Sequence, residues 1–423
     1  MSCPSQKVGA AAIVILALGL GGAVSVGWAE TIITPSIASS GTYLSNIGFT
    51  SNTGGGGASG GDYMLSLAPS VNVQHNDQLY TANVSAGLFA SRFINNPQFS
   101  FVGVNGSVFL GLDNLVKRLS PRLSLTLMDS VSYTPQQPAF LVPQGDEQTP
   151  QGVDFRGIQA ARANALTNMG SASGGFTFTP LVSLTASYTN MLSRFGTPIS
   201  QPGVGGFLDT TSESVSVGPR FTLSATDTVS GGYTYTKSTF DAGAPGVQAN
   251  NFQTDGGYVS WSHVFTANLS GNLSGNYSYI KPFNVGVYGG QAGLSYRVLA
   301  TTSASLNFSR QVMPSFFVAG LPLVSNVVSL QVGHTIMPKL SGSLGLSYAR
   351  SESEGTPTAG QGDLVFESYA ASTSLSYALT QYASASASYS YGHFNQTFSG
   401  LESRFDMHTI SLSLMGRWPY KWS

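Results

Sequence analysis

The sequence predicts an all-β chain: a transmembrane, antiparallel, up-and-down β-barrel of about eighteen strands, with sixteen as the alternative count. Three observations predict it. The 423 residues are 42% hydrophobic but only 9% charged, against about 25% charged in a soluble domain. Beyond the N-terminus no apolar run approaches the roughly 20 residues of a membrane helix. Apolar and polar side chains instead alternate along the chain, the pattern of a strand with one face to lipid and one to water. Disorder, the competing reading of a Gly/Ser-rich chain, predicts few aromatics, and 11% of these residues are aromatic.

The first element is an export signal, expected over residues 1–29. Lys7 supplies the positive region, Val8 to Val26 are apolar and small, and Gly27-Trp28-Ala29 places small residues at the cleavage positions before Glu30. A retained anchor is the alternative. Cys3, the single cysteine, precedes the apolar run, so the mature chain is expected to hold no thiol, disulfide or Cys-based metal site. Residues 30–423 then form one domain. Loss of Lys7 moves the formal charge from −1 to −2, a balance that gives no reason to expect nucleic acid as a partner.

The strands follow in order. A first, weak one lies near Ile32 to Leu44, and a glycine-rich connection at Gly54 to Gly61 leads on. Thereafter short turns alternate with longer loops. Asn76-Asp77 is short, Asn95-Asn96-Pro97 longer; Arg118 to Pro121 is short, Pro135 to Ala161 the longest of all. Pro180-Leu181 alternates with Phe195 to Phe207, and Ala225 to Asp227 with Asp241 to Asn250. Thr266-Ala267 precedes Pro282 to Gly286, and Ala300 to Thr302 precedes Met313 to Val324. Pro338-Lys339 and Glu352 to Gly362, then Thr380-Gln381 and Asn395 to Leu401, complete the series before a last strand over Met407 to Trp418. Within these segments the period is two. Leu269, Gly271, Leu273, Gly275, Tyr277 and Tyr279 share one face, and Ser270, Asn272, Ser274, Asn276 and Ser278 the other. Alternating connections bring both termini to the short-turn side. A soluble β-sandwich explains neither that alternation nor a polar face made of Ser, Thr, Asn and Gly.

Heights along the strands locate the membrane. A strand tilted by about 40° needs roughly ten residues to cross a ~25 Å apolar band. Tyr188, Tyr233, Tyr235, Tyr277, Tyr279, Tyr348, Tyr389 and Tyr391 fall near that height on the apolar parity, as an outer aromatic girdle does. Just above them, on the same parity, come Arg92, Arg194, Lys237, Lys281, Arg310 and Arg350. We expect these to snorkel toward lipopolysaccharide phosphates; ordinary loop-base charges are the alternative.

The export signal, the hairpin ladder and the last strand (Ile410, Leu412, Leu414, Gly416, Trp418) resemble those of Gram-negative outer-membrane β-barrel proteins, porin-like in architecture. The resemblance covers nearly the whole mature chain and carries no family-specific motif. It implies a bacterial outer-membrane location, periplasmic termini, and lipid, lipopolysaccharide and the barrel-assembly machinery as partners. Such chains often end on an aromatic residue; this one ends Trp422-Ser423, leaving Trp418, Tyr420 or Trp422 to serve.

Eighteen tilted strands enclose a backbone diameter of about 36 Å, and the inward residues are read as mostly small. Arg220 and Arg297 are the clearest wall charges. The longest loop, with Asp146, Glu147, Asp154 and Arg156, is either a constriction folded inward or an external loop. His393 and His408 flank the final loop as weak metal candidates, expected side by side with Asp406 as a conceivable third ligand, against a plain polar rim. No Ser/His/acid constellation and no phosphate loop stands out, so no enzyme and no cofactor is expected. Three functions remain: a pore for passive diffusion of small polar, mostly neutral solutes; a conduit for exopolysaccharide export; and a scaffold holding a periplasmic or loop-bound protein partner.

Overall fold

A computed structural model describes residues 30–47, 60–136, 163–198, 209–241, 251–314, 322–353, 364–398 and 401–422. The export signal and the loop bearing Asp146, Glu147, Asp154 and Arg156 lie outside the described residues. Eighteen strands each pair antiparallel with their sequence neighbours, from β1 (Glu30–Leu44) and β2 (Asp62–Asn76) round to β17 (Ala383–Phe398) and β18 (Leu401–Arg417). β1 then pairs with β18 as well as β2, with Gly41 opposite Leu412 on one side and Leu65 on the other. The sheet therefore closes on itself and leaves no free edge. A short β19 (Tyr420–Trp422) extends the seam against Thr31 to Ile33.

The register carries the two-faced pattern from strand to strand. Side chains in directly opposed positions point to the same face. Leu273 of β11 (Leu269–Lys281) faces Trp261 of β10 (Phe252–Thr266) and Ala292 of β12 (Val285–Leu299). Its neighbour Asn272 faces Ser262 and Gly293. Leu412, Ile410, Val259 and Val102 are all exposed on the outer face, Val102 by 67%. The inner face joins hydroxyls across strands: Ser230 Oγ to Ser260 Oγ at 2.6 Å, Ser85 to Ser107 and Ser187 to Ser216 at 2.7 Å, Ser386 to Ser413 at 2.6 Å. In a serine pair one hydroxyl donates and the other accepts, so each has a partner across the strands.

Four of the short turns share one device. Thr179, Ser224, Thr266 and Thr380 each accept, through the side-chain oxygen, a backbone N–H two residues ahead. Just before such turns the ladder slips by one residue, between Thr177 and Thr179, Val264 and Thr266, Arg297 and Leu299, and Thr335 and Met337. Bulges at a barrel rim let strands bend into the turn. One close approach requires glycine. In β8 (Asp209–Thr222) the ladder to β9 (Asp227–Asp241) lapses at Gly218 and Pro219, and a Cβ on Gly218 would drive into the backbone oxygen of Gly231.

Three connections differ from expectation. β3 (Thr81–Phe93) is followed by β4 (Phe101–Gly111) and β5 (Leu123–Gln136). The β4–β5 connection, read as the short turn Arg118 to Pro121, spans 112–122 and contains a one-turn helix, α1 (Asp113–Val116), whose Asp113 carboxylate accepts the Leu125 N–H at 2.9 Å. The Pro282 to Gly286 loop is shorter than read because β12 begins at Val285, and the Asn395 to Leu401 loop because β17 runs to Phe398. Alternating side chains at these strand ends look the same in a strand and in a polar loop, so the sequence makes the loops too wide.

Candidate functional site

The site is the bore, and it is a funnel. Along β11 the inward residues change from exposed (Ser270, Asn272) through half-buried (Ser274, Asn276) to buried (Ser278, Ile280). The same gradient runs up β15 (Leu340–Ser353), where Ser341 and Ser343 are exposed and Ala349 and Ser351 buried. The inward wall is thus exposed at the short-turn end and covered at the long-loop end.

Large apolar side chains on the inward parity are among the covered residues. Leu44 and Phe93 lie in one cluster with Met64, Phe99 and Phe101 packed against it. Phe240, Phe252, Ile280 and Val287 form a second across β9 to β12. Phe394 stacks on Phe405 at 4.8 Å between β17 and β18, and Phe366 beside them is 2% exposed. The expectation of small inward residues holds for the lower wall and fails here. Parity already assigns these residues inward; they lie one or two rungs above the tyrosines that mark the apparent end of each strand.

Inward charge is scarce. Arg220 faces Ser183 and Ser230, and Arg297 faces Ser303, both on the inward parity and exposed near the short turns. Arg417, opposite Ser36, is a third arginine on the same parity and at the same end, and the sequence reading missed it. Its signal was the inward serine register of β18. Glu30 and Lys421 also face inward there but neutralise each other at 2.8 Å. Asp62, at the opposite end, is buried and occupied: it accepts the Asn95 and Asn96 backbone N–H groups at 3.0 and 2.9 Å and both side-chain amides, latching the β3–β4 connection.

The outer face presents two polar belts. All eight predicted tyrosines lie on the outward parity. Several donate to a carboxylate one layer nearer the loops: Tyr233 to Asp255 at 2.5 Å, Tyr348 and Tyr369 to Glu367 at 2.8 and 3.0 Å, Tyr391 to Asp406 at 2.8 Å. The six cations also face outward, but three have acidic partners. Arg194 meets Asp209 at 3.7 Å, Lys281 meets Asp255 at 3.1 Å, and Arg350 meets Glu352. Arg310 instead bonds the Asn326 oxygen at 2.9 Å, and Arg92 and Lys237 have no ion pair among the described residues. At the short-turn end Asp227 takes hydrogen bonds from Ser224 at 2.8 Å, from the Trp261 indole at 3.1 Å and from Thr226 at 3.0 Å, and lies 2.6 Å from His263 Nδ1.

His393 and His408 are one rung out of step rather than side by side. His393 faces Asp406, with Nδ1 2.8 Å from its carboxylate, whereas His408 faces Tyr391 and bonds the Tyr389 hydroxyl at 3.0 Å. The register offsets them because the hairpin closes between Phe398 and Leu401. Among the described residues no group of three His, Cys, Asp or Glu side chains is placed to hold a metal.

No family model matches the chain, and no curated protein matches it. Solved structures do. OccK2 (OpdF) of Pseudomonas aeruginosa is 10% identical with a TM-score of 0.46, over 93% of this chain and 98% of that one. OccAB3 of Acinetobacter baumannii is 9% identical with a TM-score of 0.44, over 92% and 99%. The siderophore receptor PirA of Pseudomonas aeruginosa is 8% identical with a TM-score of 0.42, over 91% and 80%. Likenesses this distant carry neither cargo nor family to this chain, and the barrel stands on its own register.

Proposed function

We propose that this chain is a bacterial outer-membrane pore for passive diffusion of small polar, mostly neutral solutes, with the short turns and both termini in the periplasm. The observation that carries the reading is the pairing of an exposed apolar outer wall with a water-accessible inner wall of Ser, Thr and Asn. Water is an unfavourable solvent for so large a continuous apolar band, and hydrocarbon is a suitable one. Sixteen to eighteen strands are also enough to leave an aqueous channel. The apolar collar then sets the narrowest passage, so the pore passes solutes well below the width of the bore. The reading assigns catalysis to no residue.

The lipid contacts follow from the outer belts. Tyrosines among the headgroups donate hydrogen bonds to carboxylates above, and the cations reach lipopolysaccharide phosphates. Assembly through the barrel-assembly machinery belongs to the same reading. An exopolysaccharide conduit would need a wider passage at the loop end than the collar leaves, and a scaffold would need the bore filled from the periplasmic side.

Planar-bilayer recording and liposome swelling test the proposal together. Steady channel openings, with small neutral sugars swelling liposomes faster than disaccharides or larger sugars, are the expected result. Electrical silence together with no swelling overturns it.

A further inference from the structure

We infer that Arg220, Arg297 and Arg417 form a cationic ring inside the short-turn mouth that makes the bore prefer small anions over cations. The inference rests on the pore reading and adds to it the sign of the charge admitted.

Three features of the wall carry it. First, the three arginines stand on β8, β12 and β18, spread round the circumference rather than clustered, and each is exposed on the inward parity, Arg220 and Arg297 within a few residues of a short turn and Arg417 at the end of β18. The Arg297 backbone N–H bonds the Asn268 oxygen and that of Arg417 the Tyr382 oxygen, both turn residues, which fixes their height at the mouth. Second, nothing on the described wall cancels them. Their opposed residues are serines, none makes an ion pair among the described residues, and the inward positions of the middle wall carry no ionised side chain. Glu30 is already matched by Lys421, and Asp62 is sealed in its latch at the other end. The carboxylates of the outer belt (Asp255, Glu367, Asp406) are on the far side of the wall, facing outward. Third, the covered inward side chains of the described wall at the long-loop end are largely apolar (Phe240, Phe252, Ile280, Phe394), so they set no opposing sign against the mouth.

Screening decides when the effect is visible. The Debye length is about 30 Å at 0.01 M salt and about 3 Å at 1 M. The bore radius is roughly 18 Å. At the low salt the field of the ring fills the mouth; at the high salt it clings to the wall. Local enrichment of the counter-ion is then the ordinary consequence of a ring of one sign in a narrow opening.

The test is the reversal potential across a bilayer holding the full-length barrel, measured in a KCl gradient. In dilute salt, near 0.01 M, the chloride-to-potassium permeability ratio is expected above unity, falling toward unity near 1 M. Replacing all three arginines (R220Q, R297Q, R417Q) should bring the dilute-salt ratio to unity or below, and R220K, R297K, R417K should keep the preference, because charge and not guanidinium shape is at work. These side chains are exposed, so folding is not at stake. Steady current with a ratio at or below unity in the natural protein, or a glutamine triple unchanged from it, overturns the ring while leaving the pore. Absence of any current overturns the pore and the ring together.

Discussion

At the scale of single residues, what each outward cation touches separates the six that the sequence grouped together. Arg194, Lys281 and Arg350 spend their charge on Asp209, Asp255 and Glu352. Arg92, Lys237 and Arg310 have no such partner among the described residues. A phosphate competing for the first three displaces a carboxylate, and an exposed pair is worth about 0.2–1 kcal/mol. A phosphate approaching the second three displaces only water or an amide oxygen. The triple R92Q, K237Q, R310Q is therefore expected to lose more co-purifying lipopolysaccharide than R194Q, K281Q, R350Q, measured as phosphate per barrel after detergent extraction. Equal loss, or none, removes the lipopolysaccharide contact from the account. Parity and height of all six were legible in the sequence. Glu352 follows Arg350 by two on one strand, but Asp209 and Asp255 lie on the strand adjacent to their cations and depend on register, which no spacing rule supplies.

Among elements, the strands were the legible part and their ends the illegible one. A period of two over ten or more residues is a strong signal because one slipped residue would turn every leucine inward. That is why β11, β15 and β17 were read correctly from a handful of serines. The helix α1 was hidden because four residues hold no periodicity, and the collar was hidden because Phe240, Phe252 and Phe394 lie past the tyrosines that looked like the natural end of each strand. The collar has a direct consequence. Truncating Phe394 and Phe405 to alanine removes two stacked rings from the narrowest section, and an apolar constriction limits flow both by size and by dewetting. Single-channel conductance should rise, on the order of twofold. An unchanged conductance would place the limiting section elsewhere along the bore.

The whole molecule follows from one rule applied eighteen times: oily side chains out, hydroxyls in, with β1 against β18 to finish the ring. Closure could be inferred from the sequence only through the even strand count and the shared side of the termini; the Gly41–Leu412 seam states it outright. The funnel could not be inferred, since it depends on which inward residues are covered. Attachment of a thiol probe, one position at a time along β11 in a Cys3→Ser background, tests the rule itself. With the barrel inserted in liposomes, cysteines at Ser270, Asn272 and Ser274 should react with a membrane-impermeant maleimide, and those at Leu269, Gly271 and Leu273 should react only with a lipid-soluble one. Uniform reactivity along the strand, or the opposite alternation, would contradict the account.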